Sequence, residues 1–276
     1  MNNPLLSIVI ANYNYGRFLE TAIKSVVDQE EFNKCELIIV DGGSTDNSVG
    51  IIQRYEDKIA WWCSERDNGQ SDAFNKGFSR AKGKYLTWLN ADDILVDGCL
   101  SKVLKAMERY PSCDWFTGNF YRFKEDGKII EIGWGPKVLP KILQTKHQPP
   151  AVYGPSSFFS KDLFVRVGRM KTYQYYQMDT DLWRRFIVAG VKQRRVPCFC
   201  WGFRMHDRSK TAEYGDRKLT SEQLKIFGLE RTRSLYETKY RMSLLNRYAI
   251  LMWRFIDGSL LKRLWLQLTF IKAEVK

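Results

Sequence analysis

The fold is decided by two short apolar runs near the N-terminus, where residues 5–11 read LLSIVIA and residues 36–40 read ELIIV. Between them, Phe18, Ala22 and Val26 recur at the spacing of a helix. Short runs that are continuous in Val, Ile and Leu are typical of strands buried on both faces of a parallel sheet. Parallel neighbours need a crossover connection, which is usually a helix. The sequence therefore predicts an α/β domain that begins strand, helix, strand.

The same patterns continue along the chain. Further strands are predicted at residues 59–63 and 84–89, with a helix at 71–81 between them. The later predictions are a helix at 100–109, a strand at 115–123, a turn at 125–127, a loop at 133–155, a helix at 179–190, a strand at 194–203 and helix from Thr220 onward.

Polar residues follow three of the predicted strands. Asn12 comes after the first strand, residues 41–46 (DGGSTD) after the second, and residues 90–93 (NADD) after the fourth. Ligands of open α/β sheets bind outside the carboxyl ends of the strands, so these residues predict one site. Adjacent carboxylates repel each other unless a cation neutralises them, and oxygen ligands suit Mg²⁺ or Mn²⁺. These residues therefore form a candidate metal and ligand site.

Each acidic motif also has a purely structural interpretation. Asp92 or Asp93 could cap a helix that begins at Ile94, because acidic residues are favoured at helix N-termini. Likewise, Ser44 or Thr45 could cap the helix that follows the glycine turn. Both interpretations stay open for the two motifs at this stage.

Length and charge limit the organisation of the chain. The 276 residues suffice for one catalytic domain with an appendage, which we place at 1–210 and 211–276. The formal charge of +13 indicates an anionic partner: nucleic acid, phospholipid or a phosphorylated substrate. Residues 207–276 contain 15 Lys and Arg against 8 Asp and Glu, so a large share of the excess lies in the appendage.

Cysteine spacing and hydropathy indicate a cytoplasmic protein. The six cysteines form neither a zinc-site pattern nor a CxxC pair, which is typical of reduced core thiols. The N-terminus lacks the basic and apolar regions of a signal peptide. No run reaches the roughly 18 apolar residues that a spanning helix needs.

Five motifs in fixed order carry a family resemblance. They read SIVIANYN, ELIIVDGGSTDNS, SERDNGQSDAFNKG, YLTWLNADD and MDTDLW. Over residues 5–210 the chain resembles the family 2 glycosyltransferases, whose GT-A fold is a Rossmann-like, mostly parallel sheet flanked by helices. The resemblance implies that residues 1–110 bind a nucleotide sugar, usually linked to uridine diphosphate (UDP). Residues 111–210 would then shape the acceptor side and supply the catalytic base.

The resemblance also assigns individual residues. Asp93 would bind a Mn²⁺ or Mg²⁺ ion, and His206 would approach the metal or the diphosphate. Asn90 stands where the family often has Asp. Nucleotide contacts are implied for Ala11, Asn12, Tyr13, Asp41, Asp72, Asn75, Lys76 and Asp92, with Asp41 accepting a hydrogen bond from the base.

The motif MDTDLW would supply the general base that deprotonates a hydroxyl of the acceptor. The resemblance aligns Asp179 with this base, with Asp181 as the rival and a helix N-cap as the structural alternative for Asp179. Direct displacement from the opposite face would invert the anomeric centre. The implied activity is hexosyl or N-acetylhexosaminyl transfer in polysaccharide or glycolipid synthesis.

The C-terminal residues are basic and rich in large apolar side chains, as in residues 251–272. They fit an interfacial helix on the inner face of the cell membrane, which would suit a lipid-linked saccharide acceptor. An amphipathic helix packed on protein is the alternative.

Among other functions, a nucleotidyltransferase should show a glycine-rich phosphate loop after the first strand, which residues 11–15 lack. Nucleic-acid binding ranks last, because carboxylates crowd the expected cleft.

Overall fold

The structure is a computed structural model that describes residues 3–133, 152, 154–175 and 178–210, and positions 252, 261, 262, 264 and 265. The helix expected from Thr220 onward lies outside the described residues except for those five positions. Most of the loop expected at 133–155 also lies outside them.

The described residues form one nine-stranded sheet with six α-helices. The strands are β1 (Leu6–Asn12), β2 (Cys35–Asp41), β3 (Trp61–Ser64), β4 (Tyr85–Asn90), β5 (Ile94–Leu95), β6 (Trp115–Lys124), β7 (Ile129–Gly133), β8 (Ser157–Ser160) and β9 (Arg194–Met205). The helices are α1 (Gly16–Val27), α2 (Ser48–Arg54), α3 (Gln70–Arg80), α4 (Cys99–Arg109), α5 (Lys161–Arg166) and α6 (Met178–Val188).

The strand order is β3-β2-β1-β4-β8-β6-β9-β5, with β7 paired to β6. The first four strands of this order are mutually parallel, and β9 is parallel to β6. Asn12 pairs with Asp41, and Ala11 pairs with Asn90. Because these pairs are in register, the polar residues after β1, β2 and β4 lie at one edge of the sheet.

Alternate residues of β1 enter two separate apolar cores. Ile8 and Ile10 pack on the face that includes α1, whereas Val9 packs on the other face with Phe74 of α3. A Cβ added at Gly77 of α3 would lie 2.4 Å from a methyl group of Val9, so only glycine lets this helix approach so closely. Burial on both faces explains the uninterrupted apolar runs of these strands.

The predicted α/β architecture, a mostly parallel sheet flanked by helices, is confirmed. Helix α2 was expected only as a helix without bounds after the glycine turn, and the sequence did not predict α5 or the short strands β5, β7 and β8. Strand β8 pairs antiparallel with both β4 and β6, and thereby joins the two halves of the sheet. No helix among the described residues is long and apolar enough to cross a membrane.

Both structural alternatives for the acidic motifs are wrong. Residues Ile94–Leu95 form a strand that pairs with β9, so Asp92 and Asp93 cap no helix there. Helix α2 begins at Ser48, and the carboxylate of Asp46 accepts its backbone N–H at 3.0 Å. The hydroxyl of Ser44 instead donates to Asp41, so it serves the turn and not the helix.

Candidate active site

A cavity of about 380 Å³ opens where β1 and β4 end, at the edge of the sheet that the polar motifs share. Its volume lies within the roughly 300–1,000 Å³ that is usual for small-molecule sites. Four of the expected nucleotide contacts line it: Ala11, Asn12, Tyr13 and Asp92. The side chain of Tyr13 is 59% exposed, whereas Asn12 is buried and its Oδ1 has no hydrogen-bond partner among the described residues. An unpaired buried acceptor next to a cavity indicates a place for a ligand donor.

Asp41 does not line this cavity and is fully buried. Its Oδ1 accepts hydrogen bonds from Asn12 Nδ2 (2.6 Å) and Ser44 Oγ (2.5 Å). Its Oδ2 accepts from the backbone N–H of Ser44 (2.9 Å) and from Ser64 Oγ (2.6 Å). Four donors saturate the carboxylate, so the structure does not offer Asp41 to a base. Its geometry fits a residue that fixes the loops after β1, β2 and β3.

Asp67 lines the cavity, whereas Asp41, the residue expected to contact the base, does not. The carboxylate of Asp67 lies 2.9 Å from where a Cβ on Gly42 would be. Gly42 therefore leaves the space that the Asp67 side chain fills. Asp67 Oδ1 accepts the backbone N–H of Gly69 at 2.8 Å. The strand-end rule could have found Asp67, but the predicted third strand ended at Cys63, four residues earlier.

Three further expected contacts do not reach the cavity. Gln70 and Ala73 of helix α3 line the cavity. The predicted residues Asp72, Asn75 and Lys76 do not line it, because the helical period places them on other faces of α3. Asp72 accepts from the backbone of Asn68, and Asn75 exchanges two hydrogen bonds with the backbone of Met170. Lys76 Nζ forms an ion pair with Glu65 at 2.9 Å. These three contacts hold neighbouring loops in place.

Asp93, the expected metal ligand, is fully buried. Its Oδ1 accepts the backbone N–H of Arg204 (2.9 Å), and its Oδ2 accepts Asn90 Nδ2 (2.7 Å). Burial raises its pKa well above the usual carboxylate range, and the nearby charge of Asp92 adds to that rise. Both oxygens are thus used within the protein, so Asp93 does not fit a metal ligand in this arrangement. Asn90 also accepts a hydrogen bond from Gln70 at 2.8 Å, which ties the motif to α3.

Asp92 turns the other way, towards the cavity and His206. Its Oδ2 lies 3.0 Å from His206 Nε2. The imidazole ring is held by the rings of Phe18 and Tyr15, whose centroids lie 4.8 and 5.7 Å away. Asp92 lines the cavity, whereas the His206 side chain is fully buried and does not line it. A carboxylate oxygen and an imidazole nitrogen that face each other are a suitable ligand pair for a divalent cation. Asp92 and His206 therefore fit a metal, whereas Asp93 does not.

A second group of possible ligands surrounds the other nitrogen of His206. Ligand atoms of Glu125, His206 and Asp207 lie within 4.8 Å of one another. Arg17 Nη2 lies 3.4 Å from His206 Nδ1, 3.5 Å from Glu125 and 4.0 Å from Asp207. A guanidinium group already supplies positive charge to these three side chains, which accounts for the cluster without an ion.

Asp179 lies in the first turn of α6 and inside the helix, so it is not the N-cap. Its Oδ1 accepts the backbone N–H of Thr180 at 2.7 Å, and burial raises its pKa. The other oxygen faces the region of Gly154, beside the Trp201 ring, at 3.8 Å from a Cβ built there. Asp181, the rival base, is bound by Arg185 through two nitrogens at 2.9 and 2.7 Å. This geometry favours Asp179, since its outer oxygen carries no such ion pair with a described residue.

The fold and the ligand cavity at the strand ends define a GT-A type protein, and comparison with solved structures agrees. S. aureus TarS bound to UDP-GlcNAc superimposes with a TM-score of 0.59 at 12% identity, covering 86% of this chain and 74% of that one. The mannosyltransferase PcManGT of Pyrobaculum calidifontis, solved with GDP-Man and Mn²⁺, gives a TM-score of 0.57 at 15% identity. That match covers 97% of this chain and 81% of PcManGT.

Sequence comparison identifies the family. The model of glycosyl transferase family 2 matches residues 7–215, so the chain belongs to this family. An uncharacterised glycosyltransferase of Nostoc sp. is 38% identical over 107 residues, or 37% of this chain. The match thus covers only 33% of the length of the Nostoc protein.

Proposed function

We propose that the protein is an inverting glycosyltransferase that moves a sugar from a nucleotide diphosphate sugar to a hydroxyl of a saccharide or lipid-linked saccharide. The observation that carries this proposal is the arrangement of carboxylates at the cavity. Asp67 and Asp92 line the cavity, and Asp92 also faces His206. Asp179 lies in the first turn of α6 near Gly154 and does not line the cavity. We assign the nucleobase to Asp67, the diphosphate to Asp92 and the acceptor to Asp179.

The nucleoside end of the donor would lie against Asp67, Asn12 and Tyr13. A carboxylate accepts N–H groups, and uracil and guanine both present a ring N–H on their pairing edge. TarS and PcManGT were solved with a uridine and a guanosine nucleotide, respectively. We propose a UDP-sugar, in keeping with the resemblance of the first two loops, with Tyr13 available to stack on the base.

Asp92 and His206 would hold the metal ion. A bound divalent cation supplies positive charge to the diphosphate and so makes it a better leaving group. Mg²⁺ prefers an all-oxygen environment, whereas Mn²⁺ accepts imidazole more readily, so the His206 nitrogen favours Mn²⁺. Arg204 supports the pair, because its Nε donates to the backbone carbonyl of Asp92 at 2.9 Å.

Asp179 would take the proton from the acceptor hydroxyl as the new bond forms. Burial raises its pKa, which makes its carboxylate a stronger base than an exposed Asp. A base on the side opposite the diphosphate means displacement from the back of the anomeric carbon and inversion of its configuration. Gly154 keeps the approach to Asp179 open, since a Cβ there would lie 3.8 Å from the carboxylate.

The C-terminal residues would carry the enzyme to a membrane surface. Leu261, Leu264 and Trp265 share one helix face and are 53%, 48% and 54% exposed. Lys262 Nζ lies 4.5 Å above the Trp265 ring, which places a cation beside the apolar side chains. This combination fits anionic lipid. We therefore propose that residues 1–210 are the catalytic domain and that residues 211–276 bind the membrane that presents the acceptor.

A panel of donors tests the proposed function. UDP-glucose, UDP-galactose, UDP-GlcNAc and GDP-mannose would each be incubated with the protein and Mn²⁺, and release of the nucleotide measured with and without saccharide acceptors. We expect release from one donor, its loss on chelation, and its loss in Asp92→Ala. No release from any donor, or full activity of Asp92→Ala, would contradict the proposal.

A further inference from the structure

Lys210 reaches into the cavity from the segment that follows β9. Its Nζ lies 3.3 Å from Gln70 Oε1 and 4.1 Å from the centroid of the Tyr175 ring. Gln70 belongs to α3 on the nucleotide side, whereas Tyr175 lies three residues before α6. The ammonium group thus contacts both halves of the site.

The backbone next to Lys210 is fixed to the nucleotide side of the cavity. Tyr15 Oη donates to the carbonyl of Arg208 at 2.8 Å. The backbone N–H of Ser209 donates to the carbonyl of His206 at 3.3 Å, which closes a turn. Because this turn begins at His206, it fixes the position of Lys210 relative to the two proposed metal ligands, Asp92 and His206.

Among the described residues that line the cavity, Lys210 is the only Lys or Arg. The other charged side chains there are Asp67 and Asp92. The two contacts of the ammonium described above are with the amide oxygen of Gln70 and the ring of Tyr175. Its charge also acts on Asp179, where it opposes the rise in pKa that burial causes. A single cation thus faces both the leaving-group side and the proposed base.

We propose that Lys210 is a catalytic residue of the transfer described above, and that its ammonium stabilises the departing diphosphate. This inference rests on the proposed function. In the step, the acceptor O–H gives its proton to Asp179, and its oxygen forms the bond to the anomeric carbon. The bond from that carbon to the β-phosphate oxygen breaks, and its electron pair stays on that oxygen. The negative charge that grows there faces Lys210.

The same geometry separates this role from a structural one. A lysine that only linked Gln70 to Tyr175 would be replaceable at a small cost, because a part-buried hydrogen bond and a cation–π contact contribute about 1 kcal/mol each. A leaving-group cation acts mainly in the transition state, where loss of one such group costs about 10²–10³ in rate. The two roles therefore predict different kinetics.

Lys210→Met tests the inference, with Lys210→Arg to restore the charge and Lys24→Met as a control on the exposed side of α1. With the donor that wild type uses in the panel above, we expect kcat of Lys210→Met to fall about 10²-fold, with a much smaller change in donor KM. Lys210→Arg should recover most of kcat, and Lys24→Met should match wild type. UDP should bind more weakly to Lys210→Met, whereas uridine should bind equally well to both.

The pH profile supplies a readout that a structural role would not change. Without the lysine charge, the pKa of Asp179 rises further, so the acidic limb of kcat should move to higher pH in Lys210→Met. Unchanged kcat, or equal losses in Lys210→Met and Lys210→Arg with lowered thermal stability, would overturn the inference while wild-type transfer upheld the proposed function. A wild-type protein that uses no donor would overturn both.

Discussion

Replacing Asp93 by Ala should lower stability more than it affects the chemistry. The substitution leaves the backbone N–H of Arg204 and the amide of Asn90 without their buried acceptor. Each unpaired buried donor costs about 1–3 kcal/mol. Removing a desolvated carboxylate whose pKa is raised returns part of this cost, so we expect a net loss of about 2–4 kcal/mol in the free energy of unfolding.

Urea unfolding measures this loss directly. With a slope of about 3 kcal/mol/M, a loss of 3 kcal/mol moves the midpoint by about 1 M. Asp92→Ala is the matched control, since it loses one side-chain contact, to His206, and keeps the bond from Arg204 to its backbone carbonyl. We expect its midpoint to shift by less than about 0.5 M, with loss of Mn²⁺-dependent turnover. A stable Asp93→Ala protein that lost only its response to Mn²⁺ would refute this reasoning.

Three further predictions follow from the contacts at the site. Asp179→Asn should abolish transfer yet bind UDP normally, whereas Asp181→Asn should keep transfer. Because burial raises the pKa of Asp179, the wild-type kcat should begin to fall with decreasing pH at a pH above the ordinary carboxylate pKa of about 4. Asp67→Ala should weaken UDP binding about 10–100-fold by calorimetry with an unchanged urea midpoint. Asp41→Ala should mainly lower the urea midpoint and change the UDP affinity less. Removal of residues 245–276 should abolish sedimentation with vesicles that contain phosphatidylserine; a truncated protein that still sediments would disprove the membrane role.

The sequence predicted the N-terminal half of the fold well, because its strands are continuous apolar runs and its helices have clear periodicity. Strand β8 was missed for a physical reason: its four residues, Ser157–Ser160, carry no pattern long enough to distinguish strand from loop. Strand β5 has only two residues and exists through its pairing with β9. Such short elements are stabilised by neighbours that are distant in sequence, so local patterns cannot predict them.

The site was predictable as a place but not residue by residue. Registered strand ends brought Asn12, Asp41 and Asn90 together, as expected. Whether a carboxylate reaches the cavity depends on the donors around it, and those come from other loops. Asp41 is taken up by Asn12, Ser44 and Ser64, and only the folded chain shows that all three converge on it.

Residues at the end of β9 determine the different contacts of Asp92 and Asp93. At the end of β9, the backbone N–H of Arg204 binds Asp93, and two residues later the ring of His206 faces Asp92. The NADD motif alone does not show which carboxylate is hydrogen-bonded within the protein, because the partners of both, Arg204 and His206, lie more than a hundred residues away. Residues 1–110 are therefore incomplete without β9, because the buried Asp93 would lose the N–H of Arg204 and Asp92 would lose His206. The two halves that we propose for the catalytic domain should thus be treated as one structural unit, in which residues 111–210 set the surroundings of both carboxylates.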